Sequence, residues 1–371
     1  PRGDGDGESK IAANPLAVLE QFDSNLVLNI GELTYNAAPI KGLSLELGLA
    51  AGKLTVRKAA IQNLAGASFS MSGSAEGFAG SPTGKAKLRL RAKYLDGLAR
   101  LAGVELPVPP KRLKGLTLDG DISGDADGLT FDIATTLAGL KAKFSGRVLG
   151  WTEQPETDLK FALKHASLAA LSRTFELGIK PLARADTPLN ISGAIRGGNR
   201  ALDLELTANL AGGEFHAKGR LTDLETVARV DVMVNAAHED LASLLAALGN
   251  QFPADQKSPG AVRVGAAVKG GGGRFDLSNL EVTVGALDLT GTAGVDLAGP
   301  RLKLSADLQA GDVIVDHFLG AAAGQKRSVR TAKSPAKSPT RQRRGDGRWS
   351  RDAIDLSALQ TLDADIKLSA K

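Results

Sequence analysis

Apolar and polar residues alternate along most of this chain. In Lys85-Ala-Lys-Leu-Arg-Leu-Arg-Ala-Lys93 every second residue is apolar, and residues 158–164, 228–234 and 301–308 repeat the device. Period-two alternation describes a half-buried strand, one face apolar and the other wet. Leu88, Phe161, Val232 and Leu304 are equivalent in these segments and stand 73, 71 and 72 residues apart. A helix-like segment follows each, at 94–102, 167–174, 238–248 and 312–319; Leu241, Leu244, Leu245 and Leu248 keep a 3.6-residue period. A strand carrying an internal glycine precedes each. Those glycines, Gly73, Gly146, Gly219 and Gly291, are separated by 73, 73 and 72. Two markers on one period define a repeat. Each glycine either bends its strand or opens a turn at the strand's end.

Further strands are predicted at 116–122, 189–195 and 262–268, then at 129–135, 202–207 and 275–284. Hairpin-turn residues such as Ala126-Asp-Gly128 and Gly197-Gly-Asn199 connect them. One repeat is therefore a four-stranded antiparallel meander followed by a helix. The expected organisation is a flexible lead-in at 1–21, β-repeats at 22–105, 114–176, 187–250 and 259–320, a basic disordered linker at 321–352, and a fifth repeat opening at 353–371. Near its start, Leu26, Leu28 and Ile30 share one strand face, and Leu362-Asp-Ala-Asp-Ile-Lys-Leu-Ser-Ala370 resembles that strand. The fold class is mainly β: an elongated repetitive antiparallel β-meander curled into a taco-like groove, with one short helix per repeat of about 72 residues.

Composition sharpens this picture. Hydrophobic residues are 43% but aromatics only 4%, so the apolar surface is built from Leu, Val and Ala. A closed sandwich would show the same alternation; the scarcity of large side chains and the long fixed period favour an open groove. Leu88, Leu90, Leu159, Phe161, Leu163, Val230, Val232, Leu302 and Leu304 are the expected groove lining, with Lys87, Arg89, Arg91, Lys160, Asp231 and Lys303 facing water.

Charge is unevenly placed. Residues 321–352 hold ten Lys or Arg and two Asp, a net +8 against +5 for the whole chain, which leaves about −3 elsewhere. The scaffold thus lacks a basic excess for nucleic acid, and no partner of that kind is expected. No run of about 20 apolar residues is present, so no membrane-spanning helix is expected within these residues, and any anchor is expected outside them.

Chemistry-bearing patterns are sparse. There is no cysteine, which removes disulfides, thiolate metal sites and a thiol nucleophile. No Gly-x-Ser-x-Gly occurs, and Gly270–Gly273 lacks the Gly-Lys-Ser/Thr of a phosphate loop. His165, His216, His238 and His317 are read as solvated surface residues. Asp119, Asp121, Asp125 and Asp127 do not follow the spacing of a calcium loop and are read as strand-surface and turn residues. No catalytic residue, metal ligand or cofactor is assigned.

Two stretches resemble the AsmA family. The first holds Phe22-Asp-Ser-Asn-Leu-Val-Leu, Leu33-Thr-Tyr35, Ile40-Lys-Gly-Leu-Ser-Leu-Glu-Leu47, Gly52-Lys-Leu-Thr-Val56 and Phe69-Ser-Met-Ser-Gly73. The second holds Arg348-Trp-Ser350 and Ile354-Asp-Leu-Ser-Ala-Leu-Gln-Thr-Leu-Asp-Ala-Asp-Ile366. The resemblance implies a non-enzymatic periplasmic protein tethered to the inner membrane of a Gram-negative bacterium and supporting outer-membrane biogenesis. TamB-like and YhdP-like relatives imply phospholipid, or another acyl-chain lipid, as the partner. A structural or chaperone-like scaffold for outer-membrane proteins is the alternative.

Overall fold

The structure is a computed structural model describing residues 19–35, 38–106, 108–150, 155–180, 182, 186–252, 258–299, 301–311 and 362–370. The expected helix at 312–319, the basic linker at 321–352 and His317 lie outside the described residues.

Eighteen strands form one sheet. They are β1 (Ser24–Tyr35), β2 (Ala38–Ala50), β3 (Lys53–Leu64), β4 (Ala67–Glu76), β5 (Thr83–Tyr94), β6 (Lys114–Gly124), β7 (Gly128–Leu137), β8 (Leu140–Leu149), β9 (Glu156–His165), β10 (Leu189–Gly198), β11 (Ala201–Leu210), β12 (Gly213–Thr222), β13 (Arg229–His238), β14 (Val262–Gly271), β15 (Arg274–Val284), β16 (Leu287–Asp296), β17 (Leu302–Ala310) and β18 (Leu362–Ala370). From β1 to β17 every strand pairs antiparallel with the next. Helices α1 (Asp96–Ala102), α2 (Leu168–Phe175) and α3 (Leu241–Ala247) follow β5, β9 and β13. This is the predicted curled, open meander with a short helix after every fourth strand. The last pair departs from it: β18 runs parallel to β17. A hairpin cannot make a parallel pair, and β17 and β18 are well separated in sequence, ending at Ala310 and starting at Leu362.

Three local devices hold the meander in phase. The first is the two-residue turn. Ala65-Gly66, Ala138-Gly139 and Ala211-Gly212 all have positive φ at both residues, the type I′ geometry that matches strand twist. The second is the bulge. In β3 the apolar positions run Leu54, Val56, then Ala59, Ile61; in β15 they run Phe275, Leu277, then Leu280, Val282. A one-residue slip in alternation would turn the remaining side chains to the wrong face. Register shifts between Val56 and Ala59 and between Leu277 and Leu280 absorb the extra residue, with Asn279 at φ 50°.

The third device is the repeated glycine, which lies inside its strand rather than at a strand end. A Cβ on Gly73, Gly146 or Gly219 would come within 2.2, 2.0 and 2.1 Å of the carbonyl oxygen of Lys85, Asp158 or Asp231 on the next strand. Gly291, at φ 155°, would come within 2.0 Å of the Asp307 oxygen. Each marks a place where neighbouring backbones approach too closely for any side chain.

Among the described residues a compact buried cluster lies around two of the helices. Leu168 of α2, Ala211 and Ala247 of α3 are buried together, with Ile179, Leu210 and Leu244 against them. The helix starts are tied down by one device used twice. Ser167 caps α2, its Oγ accepting from the Ala170 N–H and donating to Asp186, which lies before β10. Asp240 caps α3, accepting from the Ser243 N–H and from the hydroxyl of Ser258, which lies before β14. Serine and aspartate have exchanged places between the two repeats.

His165 and His238 belong to these caps, which corrects their reading as solvated residues. His165 is buried at the end of β9, and the Ser167 N–H donates to its Nδ1 at 3.1 Å. His238 sits 73 residues on, half-buried at the end of β13, with the Asp240 N–H on its Nδ1 at 3.0 Å. Its Nε2 therefore carries the proton and donates to the Ala211 carbonyl at 2.9 Å. His216 is exposed beside Thr207, as its reading as a solvated residue had it. The lead-in is also less free than expected at its end, because Glu20 accepts from the Ala79 N–H at 2.9 Å.

Candidate functional site: the apolar face of the sheet

In a sheet, residues directly opposite across a strand pair share a face. Following register partners from strand to strand therefore traces rows across the molecule. One row runs Leu26, Leu47, Val56, Gly73, Ala86, Ile122, Phe131, Gly146, Leu159, Ile195, Leu204, Gly219, Val232, Val268, Leu277, Ala293, Ala306, Ile366. It crosses every strand without meeting a polar side chain. A second runs Ile30, Leu43, Ile61, Phe69, Leu90, Leu118, Thr135, Ala142, Leu163, Ile191, Ala208, Phe215, Ala236, Val264, Val282, Leu289, Ala310, Ala370. Its single polar member, Thr135, turns its hydroxyl to the Thr117 carbonyl at 2.8 Å.

Between these two rows lies a third. It passes through Leu28, Leu88 and Phe161 to Val234 and Ala266, then resumes beyond the β15 bulge at Leu280, Gly291, Leu308 and Leu368. A fourth, on the other side of the first, includes Leu49, Leu54, Leu129, Leu202, Leu221, Val230, Phe275, Val295 and Leu304.

All nine residues expected to line a groove fall on this face. Leu90 and Leu163 are in the second row, Leu159 and Val232 in the first, Leu88 and Phe161 in the third, and Val230 and Leu304 in the fourth; Leu302 is one alternation step beyond Leu304 on β17. Only Val232 is fully buried; Leu302 is exposed and the other seven are half-buried. Half-burial is the state of a side chain hemmed in by its own sheet neighbours with nothing packed on top. Among the described residues every strand belongs to one sheet that does not close on itself, whereas the closed-sandwich alternative needs two sheets. At the two ends the face opens further, with Leu26 46% and Ile366 57% exposed.

The opposite face is charged and wet. Lys87, Arg89, Arg91, Lys160, Asp231 and Lys303 are all exposed on it. Oppositely charged register partners pair across strands: Lys87 with Asp121 at 2.6 Å, Arg220 with Asp203 at 2.7 Å, Lys269 with Asp231 at 3.0 Å and Arg274 with Asp296 at 3.2 Å. Arg220 holds the Asp203 carboxyl below the usual carboxylate range. Exposed pairs of this kind contribute little stability; they fix register and keep this face wet. The predicted acidic cluster divides in the same way: Asp119 pairs with Arg91, Asp121 with Lys87, and Asp125 accepts from the Asp127 and Gly128 N–H groups of a turn.

A shallow hollow of about 630 Å³ spans β3 to β7, lined mostly by residues of the polar face such as Lys53, Lys85, Lys87, Asp121 and Asp132. Gly73, Ala86, Ile122 and Phe131 of the first row also line it, among its charged residues. Among the described residues no group of three or more His, Asp or Glu is placed to hold a metal. No described helix is long and apolar enough to cross a membrane.

Compared with known proteins, the chain matches no family model, no curated protein and no solved structure.

Proposed function

We propose that this chain is an AsmA-like, periplasmic lipid-carrying scaffold, tethered to the inner membrane through a part outside these residues and supporting outer-membrane biogenesis. Acyl chains of phospholipid would lie along the apolar face and move over it by diffusion. No residue would make or break a bond.

The observation carrying this reading is the first apolar row, which runs unbroken across all eighteen strands of one sheet. Exposing an acyl chain to water costs about 0.8 kcal/mol per methylene, so a chain of about 15 costs on the order of 12 kcal/mol. An apolar strip offsets that cost only where it is continuous, because a single polar gap returns part of the chain to water. At about 4.8 Å per strand the rows extend on the order of 80 Å along the sheet. That is well beyond the roughly 30 Å hydrocarbon core of a bilayer. The charged face opposite keeps the outer side in water.

Photo-crosslinking with a lipid carrying a diazirine on its acyl chain tests this. The double substitution Leu90→Asp with Phe161→Asp puts charge into two adjacent rows and is expected to reduce labelling at least tenfold. Lys87→Ala with Lys160→Ala, on the wet face, is expected to leave labelling unchanged. Equal labelling of both variants contradicts the reading.

A scaffold for outer-membrane protein strands is favoured by a different feature. Strand β1 has no partner on its outer edge among the described residues, and Glu32 is its only charged residue. Crosslinks from β1 to unfolded β-barrel chains, without lipid, would support that alternative.

A further inference from the structure

We infer that the outer edge of β17 is an assembly site for a second copy of this chain, whose β1 takes the place that β18 holds within one copy. The first observation is that the two end strands are versions of one strand. Phe22-Asp-Ser-Asn-Leu-Val-Leu-Asn-Ile30 aligns without a gap to Leu362-Asp-Ala-Asp-Ile-Lys-Leu-Ser-Ala370, with Asp23 and Leu28 identical to Asp363 and Leu368. The offset is 340 residues.

The second observation does not depend on that alignment. Register partners followed from β1 to β18 lead from Leu26 to Ile366 and from Ile30 to Ala370, again an offset of 340. A copy of β1 laid on β17 in the place of β18 would therefore put its apolar residues into the rows already present. Direction agrees as well. Strands alternate from β1 to β17, so β1 and β17 run the same way, and β18 runs parallel to β17. A β1 strand from a second copy would enter in the sense in which β18 lies, and would need no crossover to do so.

The two edges are also free to exchange. Among the described residues β18 is held on one side only, and its described side chains, residues 363–370, are exposed. β1 is twelve residues long and lacks the lysine or proline that blunts an edge. The contact is head-to-tail, so it extends into linear chains rather than closing at a dimer. Each junction would carry the apolar rows of one copy onto the next.

The test uses the full chain, which has no cysteine of its own. Prolines at Ile366→Pro and Lys367→Pro disrupt β18 whichever of the two faces β17. Analytical ultracentrifugation of this variant is expected to show oligomers that grow with concentration, while the parent stays monomeric. Adding Val27→Pro and Leu28→Pro to break β1 is expected to restore the monomer. In the β18-broken chain, Asn29→Cys with Gln309→Cys is expected to give disulfide-linked multimers; in the parent, Gln309→Cys with Ser369→Cys is expected to close within one chain. A β18-broken chain that stays monomeric and uncrosslinked overturns the inference, and so does one that associates equally well with β1 broken. If the prolines unfold the sheet, mixing the single variants Asn29→Cys and Gln309→Cys of a chain whose β18 is weakened by Ile366→Asp with Leu368→Asp reads the same exchange. A mixed disulfide supports it, and absence of one overturns it.

Discussion

Single residues decide whether this sheet can form. Gly146 is the clearest case, because its missing side chain leaves room for the Asp158 carbonyl 2.0 Å from where a Cβ would be. Gly146→Ala forces backbone apart rather than moving a flexible side chain. We expect it to cost about 2 kcal/mol or more, read as a lowered urea midpoint. Gly80→Ala, with nothing within 4 Å of its added Cβ, is expected to be neutral or slightly stabilising. Equal effects of the two would contradict this account of the repeated glycines.

Asp240 gives the residue scale a pH dependence. The Ser258 hydroxyl, then the Ser243 hydroxyl and N–H, favour its charged form and hold its carboxyl below the ordinary value of 3.8. A lowered folded-state value means stability that is fully present above the unfolded value. That stability is lost as pH falls through the folded one. The N-cap itself contributes about 1 kcal/mol. The gap in urea midpoint between parent and Asp240→Ala is therefore expected to be constant from about pH 7 to pH 5 and to narrow below about pH 4. Asp186, held low by the Ala169 N–H and the Ser167 hydroxyl, behaves the same way at α2. A gap that widens on acidification would contradict the cap geometry.

At the scale of elements, alternation was enough to place the strands, and the period was enough to place the helices after every fourth one. That the nine residues share the apolar face could be read from the sequence, because each sits at an apolar position of an alternating run. What alternation could not carry was its own interruptions. The slips at Arg57-Lys58 and Ser278-Asn279 look like ordinary polar pairs until the register shows each absorbed by a bulge. The Ala-Gly turns were equally silent, since alanine is not a turn former; they are legible only as Gly66, Gly139 and Gly212 standing 73 residues apart. The histidines gave the same signal, because His165 and His238 are also 73 apart. Strand direction has no signature in alternation, so the parallel setting of β18 was not readable at all.

At the scale of the whole molecule, the relevant quantity is continuity. A stable domain of this length would ordinarily bury its apolar positions in a closed core. Here the described strands lie side by side, and a compact cluster around Leu168, Ala211 and Ala247 draws on α2, α3, a turn and the end of β11. Stability is therefore a sum over neighbouring strands, as in other repeat architectures. The half-buried leucines and valines remain as a surface that a guest can share. Native mass spectrometry of the purified chain tests that claim most directly. The account predicts phospholipid adducts on the parent that are lost from Leu90→Asp with Phe161→Asp. A parent chain that flies bare after extraction in mild detergent, and stays bare when phospholipid is added back, would contradict it.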